Sequence, residues 1–467
     1  MRHHASRLQV SRPGRSAPSG TRARSAGPGD PGRSAPASRS GPSSRARRPG
    51  RAASGLVLLV LPALVATACG GGGGAGESRG PVVGASEAGA PKPDPAIAVV
   101  PADGARGVRP DRRVVVTALK GTLRRVTVRG GPVRVAGRMS ADRRTWRARW
   151  TLHPGTAYTV TSAGVDDAGA PTRVTTRFTT LRPSATFAVA DVTPRPGELV
   201  GVGMPLIVTF SRAIADREAV ERSLELKMSR PVTGAWRWTG PSQVVFRPRR
   251  YWPAGQRVRL LAHTAGVRAA PGVYGASGAT AGFRVGPSRI STVDVRAHRM
   301  TVRVNGRTVR TAGISAGKGG RRAYTTTSGV HLAMGKGDPV VMTSAWMGVT
   351  DRGDPRYYKL RVRHAVQISS SGEYVHSAPW SVGSQGRANV SHGCVNASPA
   401  FAEWFYGQSL RGDVIAVTGT DRPLEWTNGW GYWQLPWSRW LAGSALGRPV
   451  RPRAPEARHR PPETRHR

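Results

Sequence analysis

Between residues 96 and 287 the chain repeats itself at an offset of roughly 100 residues, and each copy is built from short apolar/polar alternations cut by Pro- and Gly-containing turns. Alternation of period two puts every second side chain on one face, which suits a half-buried strand and does not suit an amphipathic helix. The copies open alike, with Val99-Val100-Pro101-Ala102-Asp103-Gly104 and Val192-Thr193-Pro194-Arg195-Pro196-Gly197. Each carries a tryptophan pair near its middle, Trp146 and Trp150 in the first, Trp236 and Trp238 in the second. A turn then leads into a strand, Pro154-Gly155-Thr156-Ala157-Tyr158-Thr159-Val160 and Pro253-Ala254-Gly255-Gln256-Arg257-Val258-Arg259-Leu260. Phe178 and Phe283 sit in the closing alternation. A unit of this size and pattern is an immunoglobulin-like β-sandwich, here without an internal cysteine pair. Two such domains are expected, 96–182 and 183–287, acting as a spacer or, on the sharper reading, binding a glycan.

The next segment, 288–420, continues the alternation. Thr292–Val295 and Met300–Val304 flank a turn and read as a hairpin, Asn305-Gly306 starts another, and His331–Met334 and Val340–Met342 supply further strands. Pro399 to about Gln408 is the one helical stretch, with Ser and Pro at its start. The expected fold class is mainly β: two sandwiches, a mostly-β catalytic domain and a small Trp-rich C-terminal subdomain, 421–445. Its Trp426, Trp430, Trp433, Trp437 and Trp440 mimic a helical stripe, but Gly429, Gly431 and Pro436 forbid one continuous helix. Large rings gain most from burial, so they are expected to pack onto the catalytic domain, with sugar stacking as the alternative. Residues 446–467 form a basic, Pro-rich tail expected to be disordered.

At the other end, residues 1–50 lack the large apolar side chains a core needs. An apolar run from Gly55 then ends in small residues at Cys69. It is too short to span a bilayer comfortably. It resembles a lipoprotein signal peptide, 1–69, cleaved before Cys69, whose thiol would be lipidated; Ala66 stands where that motif usually has Leu. An ordinary secretory signal and a retained anchor stay open. Residues 70–95, Gly-rich and then Pro/Ala/Glu-rich, read as a flexible linker. The net charge of +45 has two readings, a general preference for Arg with basic tails, or attraction to an anionic wall or membrane surface. Zinc-finger spacing, an RNA-binding aromatic signature and a recognition helix are all missing, so no nucleic acid is expected as partner.

Chemistry concentrates in Ser391-His392-Gly393-Cys394-Val395-Asn396, with His376 18 residues before the cysteine. A thiol becomes a nucleophile when a base takes its proton, and a histidine within hydrogen-bond reach is the usual base. The glycine beside Cys394 permits a tight turn that aims backbone N–H groups at a developing oxyanion. With only two cysteines, a Cys69–Cys394 disulfide or zinc held by Cys394, His376 and His392 competes weakly, since each thiol has a better separate use. No metal and no cofactor are expected.

These residues resemble the signature of the L,D-transpeptidases, the cysteine enzymes that cross-link bacterial peptidoglycan. The similarity extends through Gln367-Ile368-Ser369, His376–Gly383, Ser398-Pro399, Trp404-Phe405-Tyr406 and Arg411–Val414, and covers roughly residues 288–420. It implies Cys394 as nucleophile, His376 as base, and the backbone carbonyl of Ser377 orienting the imidazole. The Gly393 and Cys394 N–H groups would hold the oxyanion. His392 supports the loop or tunes its charge, Asn396 pins it, and Ser391 is structural. Tyr358 would point its hydroxyl into the oxyanion region, a place Tyr357 could also take. Tyr324 to Met347 would form a flap with Met342 and Trp346 lining it. The family often has Thr-Pro-Thr before its glycine, whereas this chain has Thr325-Thr326-Thr327-Ser328-Gly329.

The implied reaction is acyl transfer from a tetrapeptide stem with release of D-Ala, forming 3-3 cross-links in cell-wall biogenesis. Donor and acceptor stem peptides are the partners. The implied enzyme is a monomer, lipid-anchored to the cell membrane and facing the wall, and a carbapenem target. An L,D-carboxypeptidase of the same fold and a non-catalytic wall-binding lipoprotein are the alternatives.

Overall fold

The computed structural model describes residues 96–450; the signal segment with Cys69, the whole linker 70–95 and the tail beyond residue 450 lie outside the described residues. The first repeat forms two four-stranded sheets. One has the order Ile97–Val100, Val115–Ala118, Thr145–Ala148, Gly137–Met139, and the other Val133–Arg134, Thr122–Gly130, Ala157–Val165, Pro171–Thr179. Alternation does the work expected of it: Tyr158, Val160 and Ser162 turn inward from one strand while Thr159, Thr161 and Ala163 turn out. Leu123, Val128, Trp146, Tyr158 and Phe178 fill the space between the sheets.

The second repeat also pairs two four-stranded sheets. Their orders are Val189–Thr193, Leu206–Phe210, Gln243–Pro248, Gly234–Trp238 and Leu199–Val200, Ala279–Val285, Arg257–Ala262, Leu224–Met228. Trp236, Phe246, Trp252, Leu260 and Phe283 make its core. The sandwiches meet in a tight joint. Trp150 stacks on His263 with ring centroids 3.7 Å apart, Arg149 pairs with Glu225 at 2.8 Å, and Thr151 Oγ1 donates to the Ala265 carbonyl. Gly266 is required there: its φ is +68°, and a Cβ would lie 1.8 Å from the Leu152 carbonyl oxygen.

The third region is a nine-stranded sheet. Its order is Gly329–Leu332, Val414–Thr418, Arg289–Asp294, Arg299–Val304, Arg307–Ser315, Val395–Ala397, Tyr374–Ser377, Ala365–Gln367, Gly335–Gly337. The two outermost strands are neighbours in sequence, separated only by Ala333-Met334. The Ala333 N–H bonds to Asp413 and the Met334 N–H to Gln367, so one short link touches both ends of the sheet and the sheet curls back on itself. Val293, Val302, Ile314, Val366, Val375, Val395 and Ile415 line the interior. The helix Pro399–Gln408 closes it with Phe401, Ala402 and Phe405; Ser398 caps its N-terminus, accepting from the Phe401 N–H, and Pro399 occupies a first-turn position that needs no donor.

Two expectations change. The Tyr324–Met347 segment is not a single flap, because its middle, His331–Ala333, is buried core sheet. What projects is a separate hairpin, Val340–Thr343 paired with Lys359–Val362. The Trp-rich segment does not pack on the catalytic region alone. Trp440 and Tyr432 join Ile207, Ala235 and Val245 of the second sandwich in one cluster. Trp440 Nε1 donates to the Ala235 carbonyl, and Trp433 Nε1 to the Gly203 carbonyl. The buried guanidinium of Arg247 lies 4.8 Å from both the Trp433 and Trp440 rings and donates to the Tyr432 carbonyl. From the same segment, Gln434 Nε2 reaches the Val330 carbonyl of the curled sheet, so the tryptophans fasten two domains together.

Replacing Trp440 by Ala would remove a fully buried ring and leave the Ala235 carbonyl unpaired. The expected cost is ~3–5 kcal/mol, read as a lowered urea midpoint for the joined second sandwich and catalytic region. A loss under ~1 kcal/mol would mean the segment collapses without strain and contributes little to the joint.

Candidate active site

The site is set by one parallel strand pair. Tyr374–Ser377 lies beside Val395–Ala397 with Val375 opposite Val395 and His376 opposite Asn396. Cys394 precedes the second strand directly, so thiol and imidazole sit on adjacent strands, two register positions apart. Parallel strands require a crossover, and the 18-residue separation supplies one.

His376 is buried at 3 % exposure, and its Nδ1 faces the Ser377 carbonyl at 2.9 Å. A carbonyl only accepts, so Nδ1 carries the proton and Nε2 is left as the lone-pair nitrogen. Burial pushes the imidazole below its usual value, with the Ser377 contact partly opposing. The neutral base is therefore the resting form at neutral pH. Cys394 is half-buried, its Sγ 3.6 Å from the Gly372 carbonyl. Desolvation, with the Glu373 charge as a smaller cause, pushes the thiol up to about 12. The pair therefore rests as thiol and neutral imidazole.

The nucleophile turn is pinned from several sides. Ser391 Oγ donates to the Cys394 carbonyl at 2.6 Å and accepts from the Gly393 N–H at 3.1 Å. That bond engages one of the two N–H groups expected to face an oxyanion. Gly393 has φ +121°, a region closed to side-chain-bearing residues, and its carbonyl accepts from Thr326 Oγ1 at 2.8 Å. Asn396 is buried and donates from Nδ2 to Ser381 Oγ at 3.0 Å, tying the strand to the turn after His376. Hydrogen bonds of this kind hold the Thr325–Gly329 segment without the family's proline.

His392 lies between two rings, stacked on Tyr358 at 5.0 Å and edge-on to Tyr324 at 5.0 Å, while Lys318 Nζ sits 4.5 Å from the Tyr324 ring. Burial and then Lys318 push it below its usual value. Tyr358 is half-buried, with its backbone N–H bonded to Ser344 Oγ at 3.1 Å. Met342 is half-buried in the projecting hairpin opposite Leu360. Trp346 belongs to the short turn Ser344–Met347 at the hairpin's end.

Sequence reasoning passed over Glu373 and Trp380. Glu373 is buried at 4 % exposure between Gly372 and Tyr374, the residues beside the sulfur. Its carboxylate takes the Thr327 N–H and the Thr327 hydroxyl, each at 2.7 Å, and its own N–H donates to Ser369 Oγ at 3.1 Å. A single acid in the run Gly372-Glu373-Tyr374-Val375-His376 was the available signal. Trp380 keeps 54 % of its surface exposed, and its ring lies 6.0 Å from that of His376.

Glu373→Gln would remove a negative charge near the thiol and weaken both bonds to Thr327. Alkylation of Cys394 should then shift to lower pH, with a stability loss of ~1–3 kcal/mol. The same loss with an unmoved pH–rate curve would make Glu373 a structural anchor only.

Two family models match the chain: a bacterial Ig domain over residues 105–268, a span covering parts of both sandwiches, and an L,D-transpeptidase catalytic domain over residues 288–417. L,D-transpeptidase 2 of Mycobacterium tuberculosis is 37% identical over 399 residues, 84% of this chain and 95% of that protein. L,D-transpeptidase 5 of the same organism is 32% identical, over 77% of this chain and 79% of that protein. A solved structure of an L,D-transpeptidase in complex with imipenem is 40% identical and covers 50% of this chain and 99% of that one, with a TM-score of 0.43. With relatives matched over most of their length and a catalytic model falling on the curled sheet that carries His376 and Cys394, the chain belongs to the L,D-transpeptidase family.

Proposed function

We propose that the chain is a peptidoglycan L,D-transpeptidase that forms 3-3 cross-links through a Cys394 thioester. The observation that carries this reading is the His376 imidazole, locked by the Ser377 carbonyl with Nε2 free to accept, one strand away from Cys394. As the thiol attacks the carbonyl of the third stem residue, its proton passes to His376 Nε2 and the carbonyl oxygen gains the negative charge. With Gly393 N–H committed to Ser391, Cys394 N–H is the backbone donor remaining in that pair, and the Tyr358 hydroxyl is the side-chain candidate. Collapse breaks the C–N bond to D-Ala, which leaves with the proton from His376. The side-chain amine of a second stem then attacks the thioester and gives a proton to His376, which returns it to the departing sulfur.

Met342 and Trp346, on the projecting hairpin, are proposed to contact the stem, with Asn396 holding the nucleophile strand. His392, packed between two tyrosines, supports the loop on this reading. The enzyme would work outside the cytoplasm, lipid-anchored through Cys69, facing the wall and acting as a monomer. Imipenem, the compound in complex with the similar L,D-transpeptidase, presents a strained carbonyl to the same thiol and is expected to acylate it.

Intact-mass measurement after exposure to imipenem tests the nucleophile: the parent chain should gain one adduct and Cys394→Ala none. With tetrapeptide stems, Cys394→Ala should abolish turnover and His376→Ala should cost ~10²–10⁴-fold. Released D-Ala with cross-linked dimer supports transfer; released D-Ala with only tripeptide would mean water resolves the thioester.

The charge states set a pH prediction. The imidazole must be neutral to accept, and burial holds it below the ordinary ~6.5, so the acylation rate should be flat through neutrality and fall only in acid below that value. Stability follows the same sign. The folded imidazole binds protons less readily than the unfolded one, so its contribution is full above ~6.5 and is lost as pH falls from there. Thiolate ultraviolet absorbance already present in the resting enzyme at neutral pH would overturn the neutral-pair reading.

A further inference from the structure

Strand register gathers arginines on one face of the first sandwich. In the sheet of Thr122–Gly130, Val133–Arg134, Ala157–Val165 and Pro171–Thr179, Arg129 stands opposite Arg134 on one side and Thr159 on the other, and Thr159 stands opposite Arg177. Four residues along, Arg125 stands opposite Ala163, and Ala163 opposite Arg173. The row between them is Thr127, Thr161 and Thr175. Val128, Val160 and Thr176 alternate with these positions and are buried, so the arginine rows face outward, and all five arginines are exposed.

Like charges directly opposite each other destabilise a sheet unless something neutralises them. Among the described residues no ion pair does. The four strands contain no acidic residue. The nearby carboxylates are engaged by backbone: Asp103 Oδ1 takes the Arg177 N–H at 2.7 Å, Asp166 Oδ1 the Ala170 N–H at 2.8 Å, and Asp167 Oδ1 the Gly121 N–H at 2.8 Å. Among the described residues none of the five arginines makes an ion pair. The corresponding sheet of the second sandwich also sets basic side chains opposite one another, Lys227 against Arg259 and Arg257 against Arg284, all four exposed, though Glu225 shares a strand with Lys227.

We infer that this face of the first sandwich, with its counterpart on the second, binds a linear phosphodiester-linked polyol, a polyanionic cell-wall polymer. The placement rests on the wall-facing reading above; the phosphate chemistry rests on the face itself. Strand spacing puts Arg129 and Arg177 ~10 Å apart, and Arg173 and Arg177 ~13 Å apart, a grid that contacts several charges of one chain. Guanidinium forks match phosphate oxygens, and the threonine row offers hydroxyls to phosphate or polyol. The outward positions of the two long central strands are Thr, Ala, Val and Arg, with no aromatic ring. Single-stranded nucleic acid binders rely on rings to stack bases, and bilayer-binding surfaces on large apolar side chains to insert.

The test is binding of the full chain to soluble poly(glycerol phosphate) across a salt series. Beside it run Arg129→Ser/Arg173→Ser/Arg177→Ser and an off-face control, Arg299→Ser/Arg303→Ser/Arg307→Ser, also exposed. The face variant should bind ~10-fold or more weakly, with a salt slope reduced by about two to three, while the control stays near the parent. Equal weakening in both variants would make the effect one of net charge and overturn the proposal. So would binding by the parent to phosphatidylglycerol vesicles or duplex DNA but not to the polymer. Imipenem acylation of each variant, expected to be unchanged, reads the catalytic assignment separately, so either can fail alone.

Discussion

The chemistry proposed for this protein depends on the parallel pairing of Tyr374–Ser377 with Val395–Ala397. Strand backbone fixes a side chain better than a loop does, and two adjacent strands in fixed register fix two side chains relative to each other. A slip of Tyr374–Ser377 by one residue would turn that strand over relative to its neighbour, putting His376 where Val375 packs against the core. The register is secured outside the strands, by Asn396 on Ser381, Ser391 on both ends of the nucleophile turn, and Glu373 on Thr327. The sheet spends its precision on one pair of side chains.

That pair is built for restraint. A thiolate held permanently in a partly open site would react with passing electrophiles. Burial raises the Cys394 thiol and lowers the His376 imidazole, which favours the uncharged form of each. A buried carboxylate under the turn, Glu373, points the same way, since it disfavours a second negative charge beside it.

Local signals in the sequence carried the parts that local physics decides. Ser398 and Pro399 announced a helix start because capping involves only a few neighbouring residues, and Asn305-Gly306 announced a hairpin because a tight turn needs that backbone. The juxtaposition of His376 and Cys394 was legible because both, with the turn glycine, fall in two short runs that pair as neighbouring strands. The closure of the sheet through Ala333-Met334 was not, since two plain residues give no sign that their N–H groups reach opposite ends of nine strands. The same holds for Glu373, whose partner Thr327 lies 46 residues away, and for the Gly393 N–H, committed to a serine hydroxyl that sequence cannot orient. Tryptophan spacing promised burial correctly but named only one of two neighbours, because periodicity says which residues want a partner and not which surface provides it.

The shared packing also decides how the domains behave mechanically. Leu332 and Val414 of the curled sheet belong to the same apolar cluster as the second sandwich's Trp236, Phe246 and Trp252, so no solvent layer separates the two. Arg411 adds a pair to Glu198 at 3.0 Å, and Gly203 leaves no room for a side chain against Leu332. The joint between the sandwiches is tight in a different way, through a stacked Trp–His pair, an Arg–Glu pair, a threonine hydrogen bond and a glycine contact instead of a common core. Rotation at the first junction would expose apolar core, whereas rotation at the second would break a few polar and stacking contacts. Bending of the arm should therefore concentrate between the two sandwiches, leaving the second sandwich and the catalytic sheet to move as one body.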